Sequence, residues 1–201
     1  MQKDNRTLYE KNVQDRSRLR YLIGLVVRWK QNFKYARARR IARKRGAQIG
    51  EGVIMPVALA KQLNKNISIG SHTSIQTCSI DTRSPLRIGC HVIIGSGVNI
   101  ITTSHNIDSP DWEHKNYGLV IDDYVWIATD ALVLPSCRHL AHGTVVGAGS
   151  VVVRDTEEMD VMSGNPAKML RKRKHVHEDL VVESLLGGDY YMYKLARNRN
   201  L

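Results

Sequence analysis

The chain has 201 residues, 24% of them charged and only 6% aromatic, with a formal net charge of +11. That length suits one core-bearing domain with appendages, and no apolar run approaches the roughly 20 residues needed to cross a bilayer. The three cysteines, Cys78, Cys90 and Cys137, are odd in number and lack paired spacing, which argues against a disulfide framework and against zinc.

The charge is unevenly placed. Residues 1–46 hold 15 Lys and Arg against 3 Asp and Glu, whereas residues 47–201 hold 15 against 16. The basic character therefore belongs to an N-terminal arm. Its apolar run from Leu22 to Val27 is too short and too far inside the chain for a signal peptide, so a cytoplasmic location is expected. Residues 14–45 should form one or two helices, because Leu22, Val26, Trp29 and Phe33 recur at roughly helical spacing among Lys and Arg. Such a segment suits an anionic membrane surface, which would place the protein peripherally at the inner face of the cytoplasmic membrane. Nucleic acid, the less favoured partner, would meet the same charge, and a helix that merely docks on the rest of the protein is the plain alternative.

Further along, aliphatic residues recur every six positions. The runs are Leu63, Ile69, Ile75; Ile88, Ile94, Ile100; Ile121, Ile127, Val133; and Leu140, Val146, Val152. Neither a helix nor a long strand has that period. It fits a chain that turns a corner after each short strand, so that three hexapeptides close one coil and coils stack as neighbouring strands. Four residues after each aliphatic position the side chain should point inward near a corner and be small. From Ile69 to Val146 the residues there are Thr73, Ser79, Val92, Val98, Ser104, Val125, Ala131, Cys137, Thr144 and Ser150. Gly follows the aliphatic residue at 70, 89, 95 and 147, where a tight backbone path helps. An ordinary β-sandwich would need none of this.

The phase slips by one residue between Ile75 and Ile88 and again between Val133 and Leu140, as bulges at corners would. A slip of nine between Ile100 and Ile121 marks a loop leaving the prism at 102–118, TTSHNIDSPDWEHKNYG. Long loops on rigid scaffolds tend to carry function. Imidazole serves as a base at neutral pH with little tuning. Composition does not choose among the eight histidines, but position favours His105, which opens the loop. His72 and His91 fall at outward positions and should be solvated, His139 and His142 should be turn residues, and His175 and His177 lie in a polar tail.

The segments IDDYVWIATDALVLP (121–135), VVGAGSVVVRD (145–155) and SGNPAKMLRKR (163–173) complete the pattern. Together with the hexads they resemble the hexapeptide-repeat acyltransferases, and among those the sugar O-acetyltransferases, over roughly residues 47–174. The resemblance implies a left-handed parallel β-helix; the general rule for parallel crossovers would favour the other hand. It also implies a homotrimer with active sites at subunit interfaces, in keeping with the flat outer faces of a short prism.

The activity implied is acetyl transfer from acetyl-coenzyme A, as cosubstrate and with no metal, to a sugar or glycan hydroxyl in making a surface polysaccharide or glycolipid. The family's catalytic His stands in a Thr-x-x-His-x-x-Asp-like context, matched by Thr102, His105 and Asp108. His105 would be the general base, with His114 the runner-up. Asp108 would orient a group or touch the acceptor, or be a plain loop carboxylate. Thr129 and Ala148 match positions lining the pantetheine arm, and Lys168 and Arg171 match phosphate-side positions, with Lys172 and Arg173 able to assist. A solvated charge run over 171–174 is the alternative. Trp126 would lie beside the thioester or the acceptor ring, or cover a subunit interface.

Other acceptors and classes stay open: an amino sugar, a γ-type carbonic anhydrase, or a non-catalytic relative. The carbonic anhydrase needs two of its His ligands five residues apart, and no such pair follows His105. Antibiotic acetylation is disfavoured because the longer loop of the xenobiotic enzymes, with its Phe-Asn pattern, is not found here. The expected architecture is thus mainly β. Residues 1–46 form a basic amphipathic helical arm, 47–174 the β-helix with its excursion at 102–118, and 175–201 a short helical or extended tail. In that tail Tyr190, Tyr191 and Tyr193 suit a docking helix or a partner contact.

Overall fold

The computed structural model describes residues 7–198, so the first six residues of the expected arm and the last three of the tail lie outside the described residues. Most of the chain runs through three sheets of short strands, parallel throughout except for the antiparallel pair that ends the second. The first sheet stacks β1 (Gln48–Ile49), β2 (Ile67–Ile69), β4 (Leu86–Ile88), β9 (Leu119–Ile121) and β12 (His139–Leu140). The second stacks β3 (Ser74–Ile75), β5 (Ile93–Ile94), β10 (Trp126–Ile127), β13 (Val145–Val146), β15 (Asp160–Gly164) and β16 (Ala167–Lys172). The third holds β6 (Asn99–Ile100), β11 (Leu132–Val133) and β14 (Val151–Val152). The chain visits them in rotation, β4 to β5 to β6, then β9 to β11, then β12 to β14.

The hexad residues are what closes this structure. Ile94, Ile127 and Val146 stack in register in the second sheet and are fully buried, as are Ile100, Val133 and Val152 in the third. Each such burial contributes about 1.5–3 kcal/mol before chain entropy is counted. Eight of the ten small corner positions point inward, but Ser79 and Ser104 are exposed. Both sit where the phase slips. At the first slip Ile80, 6% exposed and bridged to Ile100, takes the third-sheet place that the hexad count skips. Leu63 is buried but lies in a turn after the short helix α3 (Val57–Ala60), outside any strand.

The basic segment forms two helices, α1 (Leu8–Gln14) and α2 (Arg18–Lys44). Thr7 and Glu10 make a reciprocal capping box at the start of α1, and Ser17 Oγ accepts from Arg20 N–H to open α2. The C-terminal half of α2 seats on the first coil through fully buried Ala38 and Ala42. Three arginines there donate to coil carbonyls: Arg39 Nη1 to Val53 at 3.0 Å, Arg43 Nη2 to Ile49 at 2.7 Å and Arg45 Nε to Leu63 at 3.0 Å. The tail carries a 3-10 turn at Val182–Leu186 and helix α4 (Tyr190–Asn198). It docks on the arm. Tyr193 is fully buried, stacked on Tyr21 at 5.1 Å, with the Arg28 guanidinium 4.0 Å from its ring centre. Buried Asp189 accepts from Tyr9 Oη at 2.6 Å and Arg28 Nε at 2.9 Å.

Candidate active site

The excursion at 102–118 is an antiparallel hairpin, β7 (Thr103–His105) and β8 (His114–Asn116), standing out between the third and first sheets. His105 is exposed and pairs across the hairpin with His114, ring centres 4.1 Å apart. Trp112, at φ +54, turns its carbonyl back toward the imidazole, and His105 Nδ1 lies 2.6 Å from that oxygen. A carbonyl only accepts, so the shared proton resides on Nδ1 and Nε2 keeps its lone pair. This orienting group is backbone, which a sequence motif does not display. Asp108 sits in the hairpin turn, where its own N–H donates to Asn106 Oδ1. The orienting role open to Asp108 is filled by Trp112.

The root of the hairpin is fixed by Asp81, which sequence reasoning missed. It accepts from the Thr103 hydroxyl at 2.7 Å and the Thr102 N–H at 3.3 Å, and holds Arg83 Nε at 2.8 Å.

The residues matched to the coenzyme gather elsewhere. Thr129 and Ala148 are exposed corner residues between the second and third sheets, in adjacent coils joined by Gly149 N–H donating to Thr129 O at 2.9 Å. Above them Gly147 N–H bonds Met162 O, and Ser163 pairs with Lys168 of β16. Thr129, Ala148 and Lys168 therefore climb one edge. Arg171 pairs with Val161, in the row that runs through Val145 to Trp126. Lys168 and Arg171 are exposed. Lys172 is not free to assist: its Nζ lies 2.9 Å from Asp160 Oδ1 and 3.1 Å from Glu157 Oε2. Arg173 is likewise committed, donating to Tyr124 O at 3.0 Å. The expected basic run is thus largely the end of a β-hairpin.

Trp126, 47% exposed, faces outward from the second sheet. With Thr129, Ile93, His177, Leu180 and Leu185 it lines a cavity of about 430 Å³ between that sheet and the tail. Beside it His72, His91 and Tyr124 stack ring on ring at 5.1 and 5.0 Å, all at positive φ. The expectation of free, solvated histidines fails here: His72 Nδ1 meets Glu183 Oε1 at 2.5 Å, and burial followed by the charge of His72 lowers the pKa of His91. His139 is no turn residue; it opens β12 and its Nε2 meets Asp122 at 2.7 Å. Cys137 is buried, and burial pushes its thiol up to about 12, so it offers no thiolate nucleophile at neutral pH.

One chain brings Thr129, Ala148 and Lys168 together but does not bring His105 to them. They occupy different corners, separated by a side of one hexapeptide, up to about 20 Å wide. A multi-coil scaffold of stacked short strands with an imidazole on a projecting hairpin and a separate basic edge defines a class: a hexad-built parallel coil.

No family model matches the chain. It is 30% identical over 129 residues to a putative colanic acid biosynthesis acetyltransferase of Escherichia coli, spanning 64% of this chain and 70% of that one. It is 30% identical over 139 residues to the galactoside O-acetyltransferase of Lactococcus lactis, 66% of each chain. Chloramphenicol acetyltransferases also align, over smaller shares of this chain. Among solved structures, a hexapeptide-repeat acetyltransferase of Vibrio cholerae in complex with acetyl-coenzyme A superposes with a TM-score of 0.61 at 24% identity, covering 86% of this chain and 93% of that one. The chain belongs to the hexapeptide-repeat family of acyl-coenzyme A-dependent acetyltransferases.

Proposed function

We propose that the chain transfers an acetyl group from acetyl-coenzyme A to a hydroxyl of a sugar or glycan, in building a surface polysaccharide or glycolipid, with His105 as general base. The observation that carries the reading is the bond between His105 Nδ1 and the Trp112 carbonyl, which leaves Nε2 as the proton acceptor of an exposed residue on the arm. Nε2 takes the acceptor's hydroxyl proton as that oxygen attacks the thioester carbonyl carbon. The new C–O bond forms, the C–S bond breaks, and the proton passes from Nε2 to the departing sulfur, leaving an acetyl ester and a free thiol. No enzyme nucleophile and no metal takes part.

In this reading residues 47–174 are the catalytic body, a left-handed coil, with 1–46 and 175–201 as appendages. Thr129 and Ala148 line the pantetheine arm, Lys168 and Arg171 meet the coenzyme phosphates, and Trp126 and Asp108 lie toward the acceptor. The separation of His105 from that edge within one chain supports a homotrimer in which the arm of one subunit reaches the edge of the next. Exposed Ile107 and Trp112 on the arm, at 78% and 62%, suit such a contact. A cytoplasmic location goes with this reading.

The test is intact-mass analysis after incubation with acetyl-coenzyme A and a panel of galactosides, nucleotide-linked and lipid-linked sugars, matched amino sugars and chloramphenicol. One acetyl gained on a sugar hydroxyl is expected. Acetylation of amines alone, or of chloramphenicol alone, would overturn the acceptor, and transfer to none of them would overturn the enzymatic reading.

A further inference from the structure

Helix α2 lies with its larger apolar side chains outward. The face it turns to the protein carries Gly24, Tyr35, Ala38 and Ala42, all buried. The opposite face carries Leu19, Leu22, Ile23, Val26, Trp29 and Phe33, from 49% to 69% exposed. Their i, i+3, i+4 and i+7 spacing makes one stripe, which nothing else in the chain covers among the described residues. Along the same face the side chains then change from apolar to basic: Arg37, Arg40 and Lys44 continue the row, and all three are exposed. Lys30 and Lys34 flank it, also exposed. These cations differ from Arg39, Arg43 and Arg45, which are turned inward onto coil carbonyls. One helix thus holds two sets of cations, one fastening it to the body and one facing away.

We propose that this outward face of α2 lies in the headgroup region of an anionic lipid bilayer, with the stripe toward the acyl chains and Arg37, Arg40 and Lys44 against lipid phosphates. The stripe from Leu19 to Phe33 is about 21 Å long. No helix among the described residues is long and apolar enough to cross a membrane, so the fit is in the plane of the interface. Charge complementarity selects the occupant. A second α2 packed parallel on this face would set like charges against each other, and packed antiparallel would set Arg37, Arg40 and Lys44 against leucines and valines. Duplex nucleic acid would take the cations but leave Leu22, Val26 and Phe33 in water. An anionic bilayer offers apolar and anionic ground side by side. The inference is independent of the acetyl-transfer reading.

The experiment is co-sedimentation of the full chain with vesicles of phosphatidylglycerol and phosphatidylcholine, against vesicles of phosphatidylcholine alone. The protein should sediment with the anionic vesicles and lose most of that binding on pure phosphatidylcholine. Leu22→Glu/Phe33→Glu should abolish binding, and Arg37→Gln/Arg40→Gln should weaken it on the order of tenfold. Because all four side chains are exposed, each variant should keep the wild-type circular dichroism and thermal transition. Wild-type protein left in the supernatant with anionic vesicles would overturn the proposal, as would sedimentation of both double variants at the wild-type level. A molar mass by light scattering that falls in Leu22→Glu/Phe33→Glu, with no vesicle binding by the wild type, would assign the face to a second copy instead. Duplex DNA bound equally by the wild type and that variant, with vesicles ignored, would assign it to nucleic acid.

Discussion

The hydroxyl of Thr103 donates to Asp81 Oδ2 at 2.7 Å, and this contact ties the root of the His105 hairpin to the coil below it. Burial alone would raise the Asp81 carboxyl, but bonds from Arg83, Thr103 and the Arg83 and Thr102 N–H groups outweigh it and hold the pKa far below the usual carboxylate range.

Asp81→Asn should therefore destabilise the protein by about 2 kcal/mol at neutral pH. A carboxylate whose folded pKa is depressed stabilises above its unfolded value and loses that contribution as pH falls toward the folded one. The wild-type advantage should thus be complete at pH 7 and shrink below about pH 4. Urea denaturation of both proteins across that range checks it; a gap of constant size would contradict the ion-paired role.

Gly24 touches the tail so closely that a Cβ there would stand 2.6 Å from Tyr193 Oη. Alanine gains about 1 kcal/mol in a helix interior, but forcing a side chain into a packed site costs about 1–3 kcal/mol. Tyr193 is fully buried between Tyr21 and Arg28, so the clash should win and Gly24→Ala should lower the thermal midpoint. Adding Tyr193→Phe should recover part of the loss. A midpoint raised by Gly24→Ala would mean the tail yields freely.

Among the four basic residues from Lys168 to Arg173, Lys168 and Arg171 are exposed, Arg171 Nη1 donating to the adjacent Lys172 O at 3.1 Å, whereas Lys172 and Arg173 are tied to residues far away in the chain. Lys168→Ala and Arg171→Ala should each raise KM for acetyl-coenzyme A several-fold, about 1 kcal/mol or more, with kcat little changed. Lys172→Ala should instead act on stability, since it unpairs Asp160, a residue 6% exposed. Steady-state kinetics beside thermal melts distinguishes the two sets; a larger KM effect from Lys172 would reverse the assignment.

The coils were legible in the sequence because stacking repeats one steric demand at each level. Ile94, Ile127 and Val146 share a column, and Gly70 follows Ile69 because a Cβ there would come within 2.6 Å of Gly89 O in the next coil. Ser79, Ser104 and Leu63 were misplaced because a count of six carries no information across a bulge, a hairpin or a helical turn. The candidate site was half legible. His105 was visible as a residue type at the start of a long excursion. Its partner is a carbonyl, and Asp81 lies 24 positions earlier in the chain, so only the folded backbone shows either. The His72, His91 and Tyr124 stack was hidden for a related reason: successive coils align residues that are 19 and 33 positions apart.

If the arm of one subunit serves the coenzyme edge of its neighbour, two inactive variants should rescue each other. His105→Ala removes the base, and Ala148→Trp blocks an exposed corner of the edge. Co-refolded mixtures should regain activity that neither parent has. Mixed assemblies as inactive as their parents would place the whole site within one chain.

The most direct test of the account is the rate of coenzyme thiol release from acetyl-coenzyme A with an accepted glycan, wild type against His105→Ala. His105 is exposed on the hairpin, so the variant should fold and assemble as the wild type does. The account predicts a fall of about 10²–10⁴-fold in kcat, with coenzyme binding retained; turnover equal to the wild type would contradict it.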